Sequence, residues 1–177
     1  MTELFFDEIA SPIGTILIVS YQAALCALDF EDYRPRMLQL LEARYGDVRL
    51  TQCADSNGLR RRIEAYFAGD LAAVNDIKVN GGGTPFQRSV WQALRSIPPG
   101  ETASYGEIAA RLGSPSAARA VGLANSQNPV AIVVPCHRVI GANGKLTGYA
   151  GGLDRKRWLL EHERGASLLQ AATSSGV

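Results

Sequence analysis

Asn80-Gly81-Gly82-Gly83 divides this 177-residue chain into two stretches with different local patterns. Three consecutive glycines give the backbone no steric direction, so neither a strand nor a helix is expected to run through them. Before them come short runs rich in Ile, Leu, Phe and Val, at Leu4 to Ala10, Thr15 to Ser20 and Ala23 to Phe30. Ser11-Pro12-Ile13-Gly14 and Ser20-Tyr21-Gln22 punctuate these runs, which predicts antiparallel strands of a small sheet. Met37 to Tyr45 and Leu59 to Phe67 read as flanking helices. In the second, Leu59, Ile63, Tyr66 and Phe67 share one face, while Arg60, Arg61 and Arg62 read as a solvated face rather than a nucleic-acid patch.

After the glycines the pattern becomes one of capped helices. Thr84-Pro85-Phe86-Gln87 is a capping box with proline at the first helical position, followed by Phe86, Val90, Trp91 and Leu94 on one face. Pro98-Pro99-Gly100 ends that helix, and Ser104-Tyr105-Gly106-Glu107 opens a second, which carries Ile108, Ala109 and Leu112 and stops at Gly113. Ser114-Pro115-Ser116 starts a third, running from Ala117 to Asn125. Two short helices joined by a tight turn form a helix-turn-helix candidate, with an ordinary helical hairpin as the alternative. The third helix presents Ala117, Ala118, Ala120 and Gly122 around one long side chain, Arg119. Small residues let a backbone approach a nucleic-acid groove closely, and a lone long side chain can enter the base stack. Packing against another helix accounts for the small residues equally well.

The chemistry is concentrated in Ile132-Val133-Val134-Pro135-Cys136-His137-Arg138-Val139. An apolar run ends at a proline, which predicts a bend at Cys136 and sets a thiol beside an imidazole and a guanidinium. Cationic or proton-accepting neighbours lower the cost of forming a thiolate, so the segment reads as one that activates a cysteine. The other thiols, Cys26 and Cys53, read as core and incidental. Three scattered cysteines make neither a disulfide framework nor a zinc site, and both histidines, His137 and His162, follow the glycines, so no metal is expected. The acidic N-terminus lacks a signal-peptide pattern and no apolar run reaches membrane-spanning length. A cytoplasmic protein is expected, nuclear in a eukaryote. Residues 1–85 carry 8 Lys and Arg against 12 Asp and Glu, whereas residues 86–177 carry 10 against 5. That asymmetry points the second half toward a polyanion.

The segment from Thr84 to Glu163 resembles the O6-alkylguanine-DNA alkyltransferases. The resemblance is carried, in the family's order, by Thr84-Pro85-Phe86-Gln87, Ser104-Tyr105-Gly106, Ala117-Ala118-Arg119-Ala120-Val121-Gly122 and Asn128-Pro129. Pro135-Cys136-His137-Arg138-Val139, Gly148-Tyr149-Ala150-Gly151-Gly152 and Trp158-Leu159-Leu160-Glu161-His162-Glu163 complete it. The resemblance implies a methylated-DNA–protein-cysteine S-methyltransferase that reacts once, taking the alkyl group of O6-alkylguanine (O4-alkylthymine a second candidate) onto Cys136. It implies that His137 acts through a water and is oriented by Glu163, that Tyr105 donates to guanine N3, and that Asn128 stabilises the turn before the nucleophile. Tyr149 would wall the pocket, main chain near Val139 would meet the base edge, and Lys156 would lie near the site. Arg119 would replace a flipped base from the minor groove, with Ala117, Ala118, Ala120 and Gly122 permitting the approach. Its partner would be double-stranded DNA, with no cofactor, no membrane and no obligate protein partner; a monomer is expected. A DNA-lesion binding protein without catalysis and a cysteine hydrolase remain as alternatives.

The expected architecture is α+β. It has an N-terminal structural domain over 1–80, a glycine linker over 81–83, and a mainly helical DNA-binding and alkyl-acceptor domain over 84–165. A disordered Ala/Ser-rich tail is expected over 166–177.

Overall fold

The computed structural model describes residues 1–175, with the backbone alone described for 167–175. Strands β1 (Thr2–Ile9), β2 (Ile16–Tyr21) and β3 (Ala24–Phe30) form the expected antiparallel meander, with Phe6 opposite Val19 and Ile18 opposite Leu28. A fourth strand outside that expectation, β4 (Val48–Gln52), pairs parallel to β1, so the sheet is mixed and runs β3-β2-β1-β4. A parallel neighbour needs a crossover, and helix α1 (Arg34–Tyr45) supplies it. Five residues at a sheet edge, only half-buried, leave too little alternation to read as a strand by pattern. Met37 and Leu41 of α1 cover one face against Leu4, Leu17, Val19 and Cys26. With both faces covered, all seven residues of β3 are buried.

Helix α2 (Leu59–Phe67) buries Leu59, Ile63 and Tyr66. Its arginines are paired rather than simply solvated. Arg60 forms an ion pair with buried Asp7, its Nε donating to Oδ2 at 2.8 Å. Arg61 pairs with Asp55, and Arg62 pairs with Asp76 and donates to the Ala73 carbonyl. The sequence does not show those distant acceptors.

The glycine stretch is packed. Gly83 has φ +87°, and a Cβ there would come within 2.6 Å of the Trp91 ring. The outer edge of β3 is covered from both sides of the glycines. Leu25 N–H donates to Lys78 O at 2.8 Å and Asn80 N–H to Leu25 O at 2.9 Å. Farther along, Leu28 N–H donates to Pro129 O at 3.0 Å. Pairing that edge removes an aggregation-prone strand surface and joins the two regions. One apolar core accordingly runs through both, from Ile9, Leu28 and Ile63 to Trp91, Val121 and Cys136.

Beyond the glycines lie α3 (Pro85–Arg95), α4 (Tyr105–Arg111), α5 (Ala118–Ser126) and α6 (Leu153–Ser175). Both capping boxes close reciprocally, Thr84 with Gln87 and Ser104 with Glu107. Val90, Trp91 and Leu94 of α3 are buried, whereas Phe86 stays exposed on the first turn. Two short strands, β5 (Ala103–Ser104) and β6 (Val139–Ile140), pair in parallel. After β6, Gly141 N–H donates to Lys145 O at 2.9 Å and closes a three-residue loop through Asn143-Gly144. The segment from Ala166, where a disordered tail was expected, continues α6 to Ser175; residues 176–177 of that expected tail lie outside the described residues.

Candidate active site

The apolar run before Cys136 is a tight turn rather than a strand end. Ile132 has φ +71°, a left-handed conformation that costs a β-branched residue on the order of 1–3 kcal/mol. Val133 N–H donates to Ala131 O and Cys136 N–H to Val134 O, each at 2.8 Å. The chain thus folds back twice before the turn Cys136–Arg138, and Ile132, Val133 and Val134 are buried. Asn128 braces the fold-back: its Oδ1 accepts from Val130 N–H at 3.0 Å and its Nδ2 donates to Val134 O at 2.8 Å. From α5, buried Asn125 donates to the Cys136 carbonyl at 3.3 Å, tying the small-faced helix to the peptide of Cys136.

His137 and Glu163 meet in the interior, Nε2 to Oε2 at 2.8 Å, both side chains fully buried. Arg138 turns away from the thiol, contrary to the expectation that it would help activate it. Its Nε and Nη2 grip the two oxygens of Glu163 at 2.8 and 2.7 Å, and its Nη1 donates to Ile97 O. Tyr66 adds a further hydrogen bond to Glu163 Oε2 at 2.7 Å. Burial works to raise the Glu163 carboxyl, but His137 and the Arg138 fork outweigh it and hold the carboxyl far below the usual range. Burial lowers His137, with Glu163 opposing. The pair therefore rests as carboxylate and neutral imidazole, since Arg138 already satisfies the carboxylate. His137 Nδ1 is buried and hydrogen-bonds to no group among the described residues.

Burial pushes the Cys136 thiol up, and the Asn128 side chain and the Lys156 ammonium pull it down only in part. The resting group is a thiol. Lys156 is fully buried, and burial lowers it to about 8. Its Nζ donates to Val139 O at 2.6 Å and Thr147 O at 2.7 Å, which clamps β6 to the Thr147-Gly148 loop. Lys156 thus engages the Val139 carbonyl, within the main chain around Cys136 and Val139 that was expected to meet a base edge. Tyr149 has a buried hydroxyl with no partner among the described residues and lies within the electrostatic reach of Cys136. A Cβ on the adjoining Gly151 would meet Phe30 at 2.7 Å, so only glycine lets this loop close on the sheet.

The β5–β6 pairing sets Tyr105, the first residue of α4, beside the strand that follows the Cys136 turn. The Tyr105 hydroxyl lies 3.1 Å from Thr147 Oγ1. Gly122 faces its ring, where a Cβ would make ordinary contact, 3.6 Å from Cδ1. Arg119 and Ala120 are exposed, Ala117 and Ala118 half-buried, and Ala117 caps α5 instead of opening it. Leu123, one turn beyond Arg119, is 60% exposed.

Residues 85–165 match the family described as 6-O-methylguanine DNA methyltransferase, DNA binding domain, and residues 4–80 match its ribonuclease-like domain. A methylated-DNA–protein-cysteine methyltransferase of Salmonella typhimurium is 52% identical over 166 residues, covering 92% of this chain and 97% of that protein. The chain belongs to the 6-O-methylguanine DNA methyltransferase family. Crystal structures of relatives share the fold. The Mycobacterium tuberculosis O6-methylguanine methyltransferase superposes with a TM-score of 0.77 at 45% identity, and OGT of the same organism in complex with DNA with 0.78 at 44%. Each comparison covers 92% of this chain and 94% of the other.

In this methyltransferase the interior brings together Cys136, His137, Glu163, Asn128, Lys156 and Val139, while Arg119 stands on the surface. Sequence reasoning missed Tyr66, Asn125 and the true direction of Arg138. Tyr66 was legible only as a buried helix position, because its partner lies 97 residues away. No described helix is long and apolar enough to cross a membrane.

Proposed function

We propose that this protein repairs DNA by moving the alkyl group of an O6-alkylguanine onto the sulfur of Cys136, once per molecule. The observation that carries the reading is the buried thiol flanked by the Lys156 ammonium and followed directly by the His137–Glu163 pair. The new S–C bond forms as the O6–C bond breaks, and that bond's electrons pass into the guanine ring. The thiol proton passes to His137, through a water at Nδ1, with Glu163 steadying the imidazolium. Tyr105 donates a proton at guanine N3 and is reprotonated from solvent as His137 releases the thiol proton, so the departing guanine gains one proton for the one the thiol loses. The thioether left on Cys136 offers no good leaving group, so the protein does not turn over.

An O6-alkyl group lies within the duplex, so the nucleotide must leave the stack. Arg119, exposed beside Ala120 on α5, fills the gap in this reading, and the Asn125–Cys136 bond links that helix to the acceptor. The DNA-bound relative supports DNA as the partner. Exposed Arg88, Arg111, Arg119, Lys145 and Arg157 supply phosphate contacts, so binding weakens as salt rises. The acceptor and its relay are complete within one chain, and a monomer suffices.

Duplex DNA carrying radiolabelled O6-methylguanine tests this. One label per protein molecule, lost in Cys136→Ser, is the expected result. Label that stays on tightly bound DNA would make the protein a lesion-binding module, and continuous release of a small product would make it a hydrolase.

A further inference from the structure

Tyr66 lies on α2, before the glycines, yet its hydroxyl reaches the carboxylate that serves His137. Its side chain is fully buried, and it donates to Glu163 Oε2 at 2.7 Å. The same oxygen receives His137 Nε2 at 2.8 Å and Arg138 Nη2 at 2.7 Å. Three donors compete for the charge of one oxygen. Tyr66 is also held in place from α6: its carbonyl accepts from His162 Nε2 at 2.8 Å. Its ring stands edge-on to Phe67 and His162, with centroids 5.2 and 5.3 Å away. His162 in turn stacks on Trp158 at 4.7 Å. A tyrosine used only for packing would be satisfied by any nearby carbonyl; this one is directed at the relay.

We infer that Tyr66 is a positioning residue for alkyl transfer, whose hydroxyl draws charge from Glu163 Oε2 and so limits how tightly Glu163 holds a proton on His137. The inference rests on the proposed transfer to Cys136. Transfer requires a neutral imidazole to receive the thiol proton, so the rate falls as pH drops through the His137 titration. Glu163 is faced by His137, Arg138 and Tyr66; Tyr66 by Glu163, Arg138, the ring of His162 from α6 and, at longer range, Tyr149. His137 is faced by Glu163, Arg138 and Lys156. Burial lowers Lys156 only to about 8, above the acid limb, which is assigned to His137 as the group that receives the thiol proton. Without the tyrosine hydroxyl, Oε2 keeps more charge for His137 and raises its affinity for a proton. The acid limb then moves to higher pH.

The test follows the rate of Cys136 alkylation by free O6-benzylguanine between pH 5 and 8, a probe that bypasses DNA binding. Tyr66→Phe is expected to move the acid midpoint upward by about half a unit. In a Glu163→Gln background, where the carboxylate charge is gone, adding Tyr66→Phe is expected to change the rate by less than about twofold. A loss of the same factor at every pH and in both backgrounds would overturn the inference and leave Tyr66 a packing residue. Should Tyr66→Phe not fold, 3-fluorotyrosine placed at position 66 alone keeps the shape with a stronger donor. It is expected to move the midpoint downward, and an unmoved midpoint also overturns the inference. Wild-type protein that accepts no alkyl group would instead refute the transfer itself.

Discussion

Cys26 and Cys136 are the same chemical group in nearly the same degree of burial, and their surroundings give them opposite prospects. Cys26 sits between the sheet and α1, and its thiol donates to Val19 O at 3.2 Å. Burial pushes it up to about 11, with Arg44 and Tyr45 opposing weakly. Arg44 is committed elsewhere, to the side chain of Asn80 at 2.6 Å. Cys136 is raised by burial as well, but the Lys156 ammonium lies near its sulfur and the next residue is a neutral histidine with an uncommitted nitrogen. Each thiol has a cation within electrostatic reach, so what separates the two is where that charge is held and what else stands beside the sulfur. Only Cys136 has an adjacent route for its proton and a buried charge fixed where thiolate charge develops. Burial keeps both thiols protonated at rest.

The sharpest way to break that contrast is to remove each thiol's cation. Lys156→Met takes away the ammonium and frees the carbonyls it clamps, and alkylation by free O6-benzylguanine is expected to slow about 100-fold. Arg44→Met should leave that rate within about twofold, and equal losses in the two variants would erase the distinction. A smaller effect separates chemistry at Cys136 from access to it. Arg119→Ala is expected to slow repair of duplex DNA about 10-fold, while the free base reacts at a rate within about twofold of wild type. Matching losses on both substrates would remove Arg119 from base flipping. The smallest effect belongs to the inert thiol. Cys26→Ala should still accept one alkyl group per molecule and lose about 1 kcal/mol of stability, read from urea unfolding. A fall in stoichiometry would show that Cys26 takes part.

Local signals carried far in the region after the glycines. The two capping boxes and the stop at Gly113, where φ is +75°, place α3 and α4 because a cap is a contact between residues three apart. The bend at Pro135 and the segment Cys136-His137 were legible for the same reason. The parallel strand β4 was not, since its partner β1 lies more than 40 residues earlier and its own five residues are half-buried. Nor was the packing of the glycines against Trp91, which depends on where α3 settles.

The sequence by itself determined that a thiol and an imidazole stand side by side after a proline, where the capped helices α3 and α4 begin, and that a small-faced helix carries one long arginine. Those features depend on covalent order and on neighbours within a turn or two. Tertiary structure alone decided that Arg138 grips Glu163 instead of the thiol, and that Lys156 clamps Val139 and Thr147. It also brought Tyr66, from before the glycines, onto the carboxylate behind His137. Buried charges and hydrogen-bonding groups take the partners that the packed core leaves within reach, and that geometry exists only once the two regions share one interior.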